Sequence, residues 1–205
     1  MTSSESLPIV YLARHGETDW SRSGRHTGLT DMPLTATGER NAVELGVRLR
    51  GIAVQDLLTS PLQRARRTCE LAGFAERAEV DDDLVEWNYG DYEGRRSAEI
   101  LALRPGWNLF RDGCPGGESP RDVMARAERV VRRLRGAPGN TLVFSSSHIL
   151  RVLAACWLGL DTRAAGFWIL GTASLSALGY EHDLAEPVIR FWNDTRHVTA
   201  DRSPP

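Results

Sequence analysis

The stretch Pro8-Ile9-Val10-Tyr11-Leu12-Ala13, followed by Arg14-His15-Gly16, decides the fold of this chain. The apolar run predicts a buried strand, and the polar, glycine-rich sequence after it predicts a loop. Arg14 and His15 therefore lie where a strand ends. Ligands of open α/β sheets bind outside the carboxyl ends of the strands. The pair predicts a site in which an arginine holds a phosphate or carboxylate and a histidine does chemistry.

Length and composition are typical of a soluble globular protein. Of the 205 residues, 41% are hydrophobic and 25% are charged, and the formal net charge is −2. These values favour one domain over residues 1–205, with flexible ends at residues 1–6 and 197–205. They give no indication of nucleic acid or a membrane as a partner. No secretion signal is visible, so a cytoplasmic location is expected.

Two features of the composition limit the chemistry. All 25 basic residues are arginine, which excludes mechanisms that depend on a lysine side chain. The three cysteines, Cys69, Cys114 and Cys156, have no CxxC spacing, and the histidines have no metal-ligand spacing. The sequence therefore implies no metal and no other cofactor.

The rest of the chain predicts alternating strands and helices. Further strands are predicted over residues 56–60, 141–145, 174–180 and 188–192. Thr35 and Ser60 are predicted to cap helices, the second with Pro61 at its first position. More helices are predicted over residues 97–103, 120–135 and 148–158, and a loop over residues 107–118. This order predicts an α/β three-layer sandwich: a mainly parallel sheet with an antiparallel strand at one side, and helices on both faces.

Three polar clusters follow predicted strands: Arg14-His15, Ser60 to Arg64, and Ser146 to His148. Because the carboxyl ends of parallel strands meet at one edge of a sheet, we expect these clusters to converge. The loop that contains Glu86 is expected to cover the same edge. Each cluster also has a purely structural interpretation, in which Arg64 is a solvated helix charge and His148 donates to a nearby carbonyl.

Three motifs resemble those of a known family. They are Arg14-His15-Gly16-Glu17-Thr18, Ser60-Pro61-x-x-Arg64-Ala65-x-x-Thr68 and Glu86-x-x-Tyr89-Gly90-x-x-Glu93-Gly94. Together they resemble the histidine phosphatase superfamily in its phosphoglycerate mutase-like branch, especially its sedoheptulose bisphosphatase-like and broad-specificity acid phosphatase members. The resemblance runs from about Val10 to Leu160 and implies a phosphoglycerate mutase-like fold.

The resemblance also implies roles for individual residues. His15 would be a nucleophile that forms a phosphohistidine, and Arg14 and Arg64 would hold the phosphoryl oxygens. Glu86 would protonate the leaving alcohol and then activate water, which calls for a raised pKa. The implied substrate-binding residues are Ser21, Thr27, Gly28 and Tyr89. The implied function is hydrolysis of phosphomonoesters of small sugars or related metabolites, without a cofactor.

One position departs from the family pattern. The branch has a second catalytic histidine directly after the strand predicted over residues 141–145, where this chain has Ser146-Ser147-His148. Ser146 takes the place of that histidine, and a serine hydroxyl brings no positive charge to a phosphate. Three explanations remain open: His148 binds phosphate instead, the activity is reduced, or Ser146 suffices because Arg14 and Arg64 dominate.

Two other functions also remain open. A phosphoglycerate mutase is disfavoured because the loop Gly113–Ser119 lacks the longer basic insertion of mutases in the branch. A non-catalytic protein that binds a phosphorylated ligand is compatible with Ser146. The partner expected in each case is a small phosphorylated metabolite. The sequence does not identify that metabolite, and it leaves a homodimer open.

Overall fold

A computed structural model describes residues 7–198 of the chain. Of the predicted flexible ends at residues 1–6 and 197–205, residues 1–6 and 199–205 lie outside the described residues. Within the described part, Nε2 of His197 lies 2.8 Å from the carbonyl oxygen of Ala173. Val198 donates its backbone N–H to Thr195 in the same turn.

Six strands form a single sheet with the order β3-β2-β4-β1-β5-β6. They are β1 (Val10–Arg14), β2 (Asp56–Thr59), β3 (Glu79–Val80), β4 (Thr141–Ser145), β5 (Leu175–Tyr180) and β6 (Pro187–Asp194). β1, β2, β3 and β4 pair in parallel, whereas β5 is antiparallel to both of its neighbours. This arrangement confirms the predicted mainly parallel sheet with an antiparallel strand.

Seven α-helices connect these strands within residues 7–198. They are α1 (Asp19–Ser23), α2 (Ala36–Arg48), α3 (Gln63–Leu71), α4 (Ser97–Leu103), α5 (Leu109–Asp112), α6 (Pro120–Arg135) and α7 (Ser147–Trp157). The predicted Thr35 cap is confirmed, since its side chain accepts the N–H of Gly38. Short 3₁₀ helices cover Ala75–Arg77, Asp82–Leu84, Gly90–Tyr92 and Thr162–Phe167.

The predicted start of α3 at Pro61 with Ser60 as its cap is wrong. The helix begins at Gln63, and its preceding residue Leu62 makes no side-chain cap. Asp31, which is distant in sequence, accepts the N–H of Gln63 at 2.8 Å. The first turn therefore obtains its cap from a tertiary contact. The region predicted as a loop over residues 107–118 also contains the short helix α5.

Apolar side chains cover both faces of the sheet, as the predicted three-layer arrangement requires. Val10 and Leu12 of β1 pack with residues of α6 and α7, whereas Ala13 packs with residues of α2 and α3. The alternation follows from the two-residue period of a strand. No helix among the described residues is long and apolar enough to cross a membrane.

A third apolar cluster lies beside the carboxyl edge of the sheet. It joins the segment around Trp87 and Tyr89 to Phe110 of α5 and to buried residues of α6 and α7. Trp87 is fully buried and its ring packs edge-on against Phe110. This aromatic cluster fixes the segment that contains Glu86 over the ends of β1 and β4.

Candidate active site

A cavity of about 260 Å³ lies at the ends of β1 and β4. Its lining residues come from the end of β1, from the segment around α1, from the connection after β3, and from the starts of α4 and α7. They are Arg14, His15, Ser21, Gly24, Arg25, His26, Thr27, Glu86, Tyr89, Ser97, Ser147 and His148. The predicted convergence of the first and third polar clusters with the Glu86 loop is therefore observed.

One ring nitrogen of His15 is engaged in a hydrogen bond to the backbone. Its Nδ1 lies 2.7 Å from the carbonyl oxygen of Gly16, which can only accept, so Nδ1 carries the proton and Nε2 has the lone pair. The residue is 4% exposed. Burial, followed by the charges of Arg64 and Arg14, lowers the pKa of His15 well below its usual value. The imidazole is therefore neutral near neutral pH.

Close packing holds the backbone at this point. The N–H of Gly16 donates to Oγ1 of Thr68 at 2.9 Å. A Cβ atom on Gly16 would lie 2.4 Å from the carbonyl oxygen of Gly38 in α2. Only glycine allows this approach, so the turn after His15 is fixed by α2 and α3 together.

Arg14 lines the cavity and has N–H groups that make no hydrogen bond to the described residues. One terminal nitrogen, Nη1, donates to the carbonyl oxygen of Leu170. Its Nε is buried and has no hydrogen-bond partner within residues 7–198. Burial lowers the pKa of Arg14 to about 10, partly offset by Glu86 and Tyr89, so the guanidinium stays charged near neutral pH. Arg14 is a suitable group for an anion.

Arg64 and Ser146 do not line the cavity, although both were predicted to bind phosphate. The guanidinium of Arg64 is fully buried and donates to the carbonyl oxygens of Thr27, Gly28 and Thr30 at 2.8–3.1 Å. Its Nε donates to Oγ of Ser146 at 3.3 Å. One of the five guanidinium N–H groups is left without a partner among the described residues. Arg64 therefore contributes positive charge near the cavity, but most of its N–H groups are not available to bind a ligand.

Glu86 binds the N-terminus of α7. Its Oε1 accepts the N–H groups of Trp87 and Ile149 at 2.8 and 2.9 Å, and Oε2 accepts the N–H of His148 at 2.9 Å. Burial alone would raise the pKa of Glu86, but these hydrogen bonds and the proximity of His148 outweigh it and lower the pKa well below the usual value. The predicted raised pKa of Glu86 is wrong, because the helix N-terminus stabilises the ionised carboxylate.

His148 and Tyr89 form a pair on one side of the cavity. The Tyr89 hydroxyl lies 2.5 Å from Nδ1 of His148. The same nitrogen is 3.7 Å from Oε2 of Glu86. Burial raises the pKa of Tyr89 well above its usual value, so its hydroxyl stays protonated. These contacts hold the His148 ring in one orientation.

The predicted substrate-binding residues fall into two groups. Ser21, Thr27 and Tyr89 line the cavity. Gly28 does not, because its N–H donates to Oε1 of Glu93 at 2.8 Å and its carbonyl accepts from Arg64. A Cβ atom on Gly28 would lie 2.5 Å from the carbonyl oxygen of Trp87. Gly28 therefore supports the cavity wall through packing.

His26 lines the cavity and was not among the predicted site residues. Its Nε2 lies 3.2 Å from Oγ of Ser97, and its ring centroid is 4.8 Å from that of Tyr89 and 6.0 Å from that of His148. Burial, followed by the charge of His148, lowers the pKa of His26 to about 4. His26 sits between Arg25 and Thr27 in an irregular segment, so periodicity gave no signal for it.

Comparisons with known proteins identify relatives of this chain. The sequence model of the histidine phosphatase superfamily (branch 1) matches residues 10–195. The chain is 38% identical to sedoheptulose 1,7-bisphosphatase of Saccharomyces cerevisiae over 188 residues, which cover 76% of this chain and 69% of the yeast protein. It is 36% identical to an acid phosphatase of Mycobacterium tuberculosis, over 86% of this chain and 89% of the relative.

A probable phosphoglycerate mutase of Salmonella choleraesuis is 32% identical to the chain, over 93% of this chain and 95% of the relative. Among solved structures, the product of a functionally characterised open reading frame of Mycobacterium tuberculosis superposes with a TM-score of 0.86. It is 33% identical and covers 91% of this chain and 97% of its own. The resemblance predicted from the motifs is confirmed, and the chain belongs to the histidine phosphatase superfamily, branch 1.

Proposed function

We propose that this chain is a phosphomonoester hydrolase that acts through a phosphohistidine at His15 on small sugar phosphates or related metabolites. The observation that carries the proposal is the state of His15. Its Nδ1 proton is held by the Gly16 carbonyl, and its pKa is lowered, so Nε2 has a free lone pair. A neutral imidazole with one nitrogen fixed is the form that can attack phosphorus.

Charge around His15 supports phosphoryl transfer. Arg14 lines the cavity beside His15, and Arg64 lies buried below it. Catalysis of phosphoryl transfer depends on positioning and on stabilising the charge of the equatorial oxygens. In the proposal Arg14 binds those oxygens directly, whereas Arg64 acts through its charge and its one unpaired N–H.

The cavity and the relatives support a small substrate. The cavity volume of about 260 Å³ is just below the usual range for small-molecule sites. Relatives are named sedoheptulose 1,7-bisphosphatase and acid phosphatase. A structural neighbour named glucosyl-3-phosphoglycerate phosphatase is 26% identical with a TM-score of 0.78, over 92% of this chain and 99% of its own. We propose a phosphorylated metabolite of this general size as the substrate.

The test compares the wild type with His15→Ala on p-nitrophenyl phosphate and on a panel of sugar phosphates. We expect His15→Ala to lose turnover by at least about 10³-fold, as removal of an essential nucleophile does. His182→Ala is the matched control, since His182 is an exposed histidine near the turn between β5 and β6. Equal turnover by the wild type and His15→Ala would refute the proposed function.

Two observations favour a second candidate, a protein that binds a phosphorylated ligand without turnover. Arg64 donates four hydrogen bonds to the protein itself, and Ser146 does not line the cavity. A rise in melting temperature with phosphate, together with no phosphate release from the substrate panel, would support this candidate. A mutase is distinguished in the same assays, because it would interconvert phosphoglycerates faster than it releases phosphate.

A further inference from the structure

We infer that Asn193 and His197 are positioning residues for the reaction at His15, and that they act through the loop of residues 168–174. This inference rests on the proposed function at His15. Asn193 belongs to β6, which is separated from β1 by β5, and His197 lies in the turn that follows. Neither residue lines the cavity, so any effect on the reaction must pass through the protein.

The loop that leads into β5 holds the end of β1 at three points. The carbonyl oxygen of Leu170 accepts a hydrogen bond from Nη1 of Arg14. The carbonyl oxygen of Ser174 accepts the backbone N–H of Arg14 at 3.1 Å. The N–H of Ala173 donates to the carbonyl oxygen of His15 at 2.9 Å. The position of this loop therefore determines where the guanidinium of Arg14 and the backbone of His15 lie.

The end of β6 binds the other side of the same loop. Oδ1 of Asn193 accepts the N–H of Gly171 at 2.7 Å. Nε1 of Trp192 donates to the carbonyl oxygen of Ile169 at 2.6 Å. These side chains take up loop backbone groups that the β5–β6 pairing does not reach, since that pairing begins at Leu175. The end of β6 therefore fixes the loop from the side opposite β1.

His197 holds the loop residue that contacts His15. Nε2 of His197 lies 2.8 Å from the carbonyl oxygen of Ala173, which can only accept, so Nε2 donates. Ala173 is fully buried and has a φ of 53°, a left-handed conformation that is uncommon for residues other than glycine. Such a conformation persists only where the surrounding contacts determine it. Ala173 is bonded to His15 through its N–H and to His197 through its carbonyl oxygen.

Asn193 is itself held in place by its neighbours. Its N–H donates to Oγ of Ser176 in β5 at 2.9 Å. The next residue, Asp194, accepts hydrogen bonds from Arg48 of α2 at 3.3 Å. Asn193 has a φ of 55°, which asparagine and glycine tolerate better than other residues do. A change to glycine therefore removes the side chain without forcing the backbone to move.

The geometry of this network matters for phosphoryl transfer in particular. Catalysis of that reaction depends on positioning and on the charge placed against the equatorial oxygens. A misplacement of about 1 Å can cost about 10²-fold in rate. Without its bonds to Asn193 or His197, the loop is no longer fixed on one side, and the carbonyl oxygen that orients Arg14 moves with it. We therefore expect the loss to appear in the transition state.

The experiment removes one hydrogen bond at a time and then restores it. Asn193→Gly removes the acceptor for Gly171, whereas Asn193→Asp keeps an acceptor. His197→Leu removes the donor to Ala173, whereas His197→Gln keeps an N–H donor. Each variant is tested for kcat/KM on p-nitrophenyl phosphate and for its inhibition constant with orthovanadate, which forms five-coordinate adducts that resemble the transition state of phosphoryl transfer.

We expect Asn193→Gly and His197→Leu to lower kcat/KM by about tenfold or more. The inhibition constant of orthovanadate should rise by the same factor, because the affinity of a transition-state analogue follows transition-state stabilisation. Asn193→Asp and His197→Gln should stay within about threefold of the wild type in both constants. A purely structural role gives a different result, since a partly unfolded sample loses kcat but keeps the KM and the inhibition constant of its folded fraction.

Two further variants complete the comparison. Arg190→Ala removes another side-chain hydrogen bond of β6, to the carbonyl oxygen of Tyr180 at 3.0 Å, and should change neither constant. Trp192→Phe keeps a ring and removes only the donor to Ile169, so it tests the loop even if Asn193→Gly does not fold. It should move both constants together by a smaller factor. Melting temperatures report on the folding of every variant.

Three results would overturn the inference. The first is a wild-type kcat/KM in folded Asn193→Gly and His197→Leu. The second is a lowered kcat with an unchanged inhibition constant for orthovanadate. The third is a failure of both Asn193→Asp and His197→Gln to restore activity, and an effect at only one position would overturn the assignment of the other residue. The proposed function fails separately, if His15→Ala matches the wild type on p-nitrophenyl phosphate.

Discussion

The ends of β1 and β4 lie side by side, with Arg14 directly opposite Ser145, yet they bring different chemistry to the cavity. β1 continues into His15, so its end provides a fixed cation and a neutral imidazole. β4 ends at Ser145 and continues into two serines before His148. The negative charge at its end comes from Glu86, which approaches from the connection after β3.

The two strand ends also differ in how their functional groups are brought together. At the end of β1 the essential groups are neighbours in sequence, and Gly16 fixes them by its contact with α2. At the end of β4 the hydrogen-bond partners of His148 come from residues about 60 positions away, namely Glu86 and Tyr89. The groups at the end of β1 are neighbours in the sequence, whereas the groups at the end of β4 come together only when the protein folds.

Among substitutions that leave His15 in place, the largest expected effect comes from removing the cation at the β1 end. Arg14→Ala should lower kcat/KM for p-nitrophenyl phosphate by about 10²–10³-fold, because a preorganised charged donor is lost from the phosphoryl oxygens. The comparison variant at the β4 end is Ser146→Ala, which leaves three carbonyl contacts on Arg64 and should change the same constant by no more than about threefold. Equal losses in the two variants would show that the strand ends do not differ in this way.

A smaller effect, of opposite sign, is expected from Ser146→His. A histidine there would supply a charged donor, and charge-assisted hydrogen bonds are about twice as strong as neutral ones. We expect kcat/KM to rise by about tenfold, with a lower melting temperature because Ser146 is 1% exposed and a larger side chain must displace its neighbours. Steady-state kinetics and thermal unfolding measure both quantities. An unchanged kcat/KM in a folded variant would show that the serine does not weaken the site.

The smallest effect concerns stability and pH. The pKa of His26 is lowered to about 4 in the folded protein, chiefly by burial. The unfolded chain therefore binds a proton at His26 before the folded protein does, so its contribution to stability is complete above a pH of about 6.5 and is lost as the pH falls towards 4. Between about pH 7 and pH 5, the free energy of unfolding of the wild type should fall by on the order of 1 kcal/mol more than that of His26→Gln. Urea unfolding at both pH values tests this, and identical losses would contradict it.

Much of the fold follows from local sequence signals. The apolar runs predict β1 and β4, and Ser119 before Pro120 predicts the start of α6, where Ser119 and Asp122 form a capping box. α3 was misplaced because its cap, Asp31, comes from another part of the chain. β3 was missed because it is a two-residue edge strand whose residues are exposed.

The site was predictable to the extent that motif residues face the cavity. Arg14, His15, Glu86 and His148 all line it. The sequence did not show that the carbonyl oxygens of Thr27, Gly28 and Thr30 bind Arg64, because that depends on where a loop passes in three dimensions. For the same reason it did not show that α7 lowers the pKa of Glu86. Residue type predicts a charge, but the backbone around it decides how that charge is used.

The central claim is that His15 accepts the phosphoryl group through Nε2. The most direct test is to mix the wild type with p-nitrophenyl phosphate, quench during the first turnovers at alkaline pH and locate the phosphate by mass spectrometry. We expect phosphate on the peptide that contains His15, and none in His15→Ala treated in the same way. A protein that releases nitrophenolate with the phosphate on another residue, or with no phosphoprotein at any time, would contradict the claim.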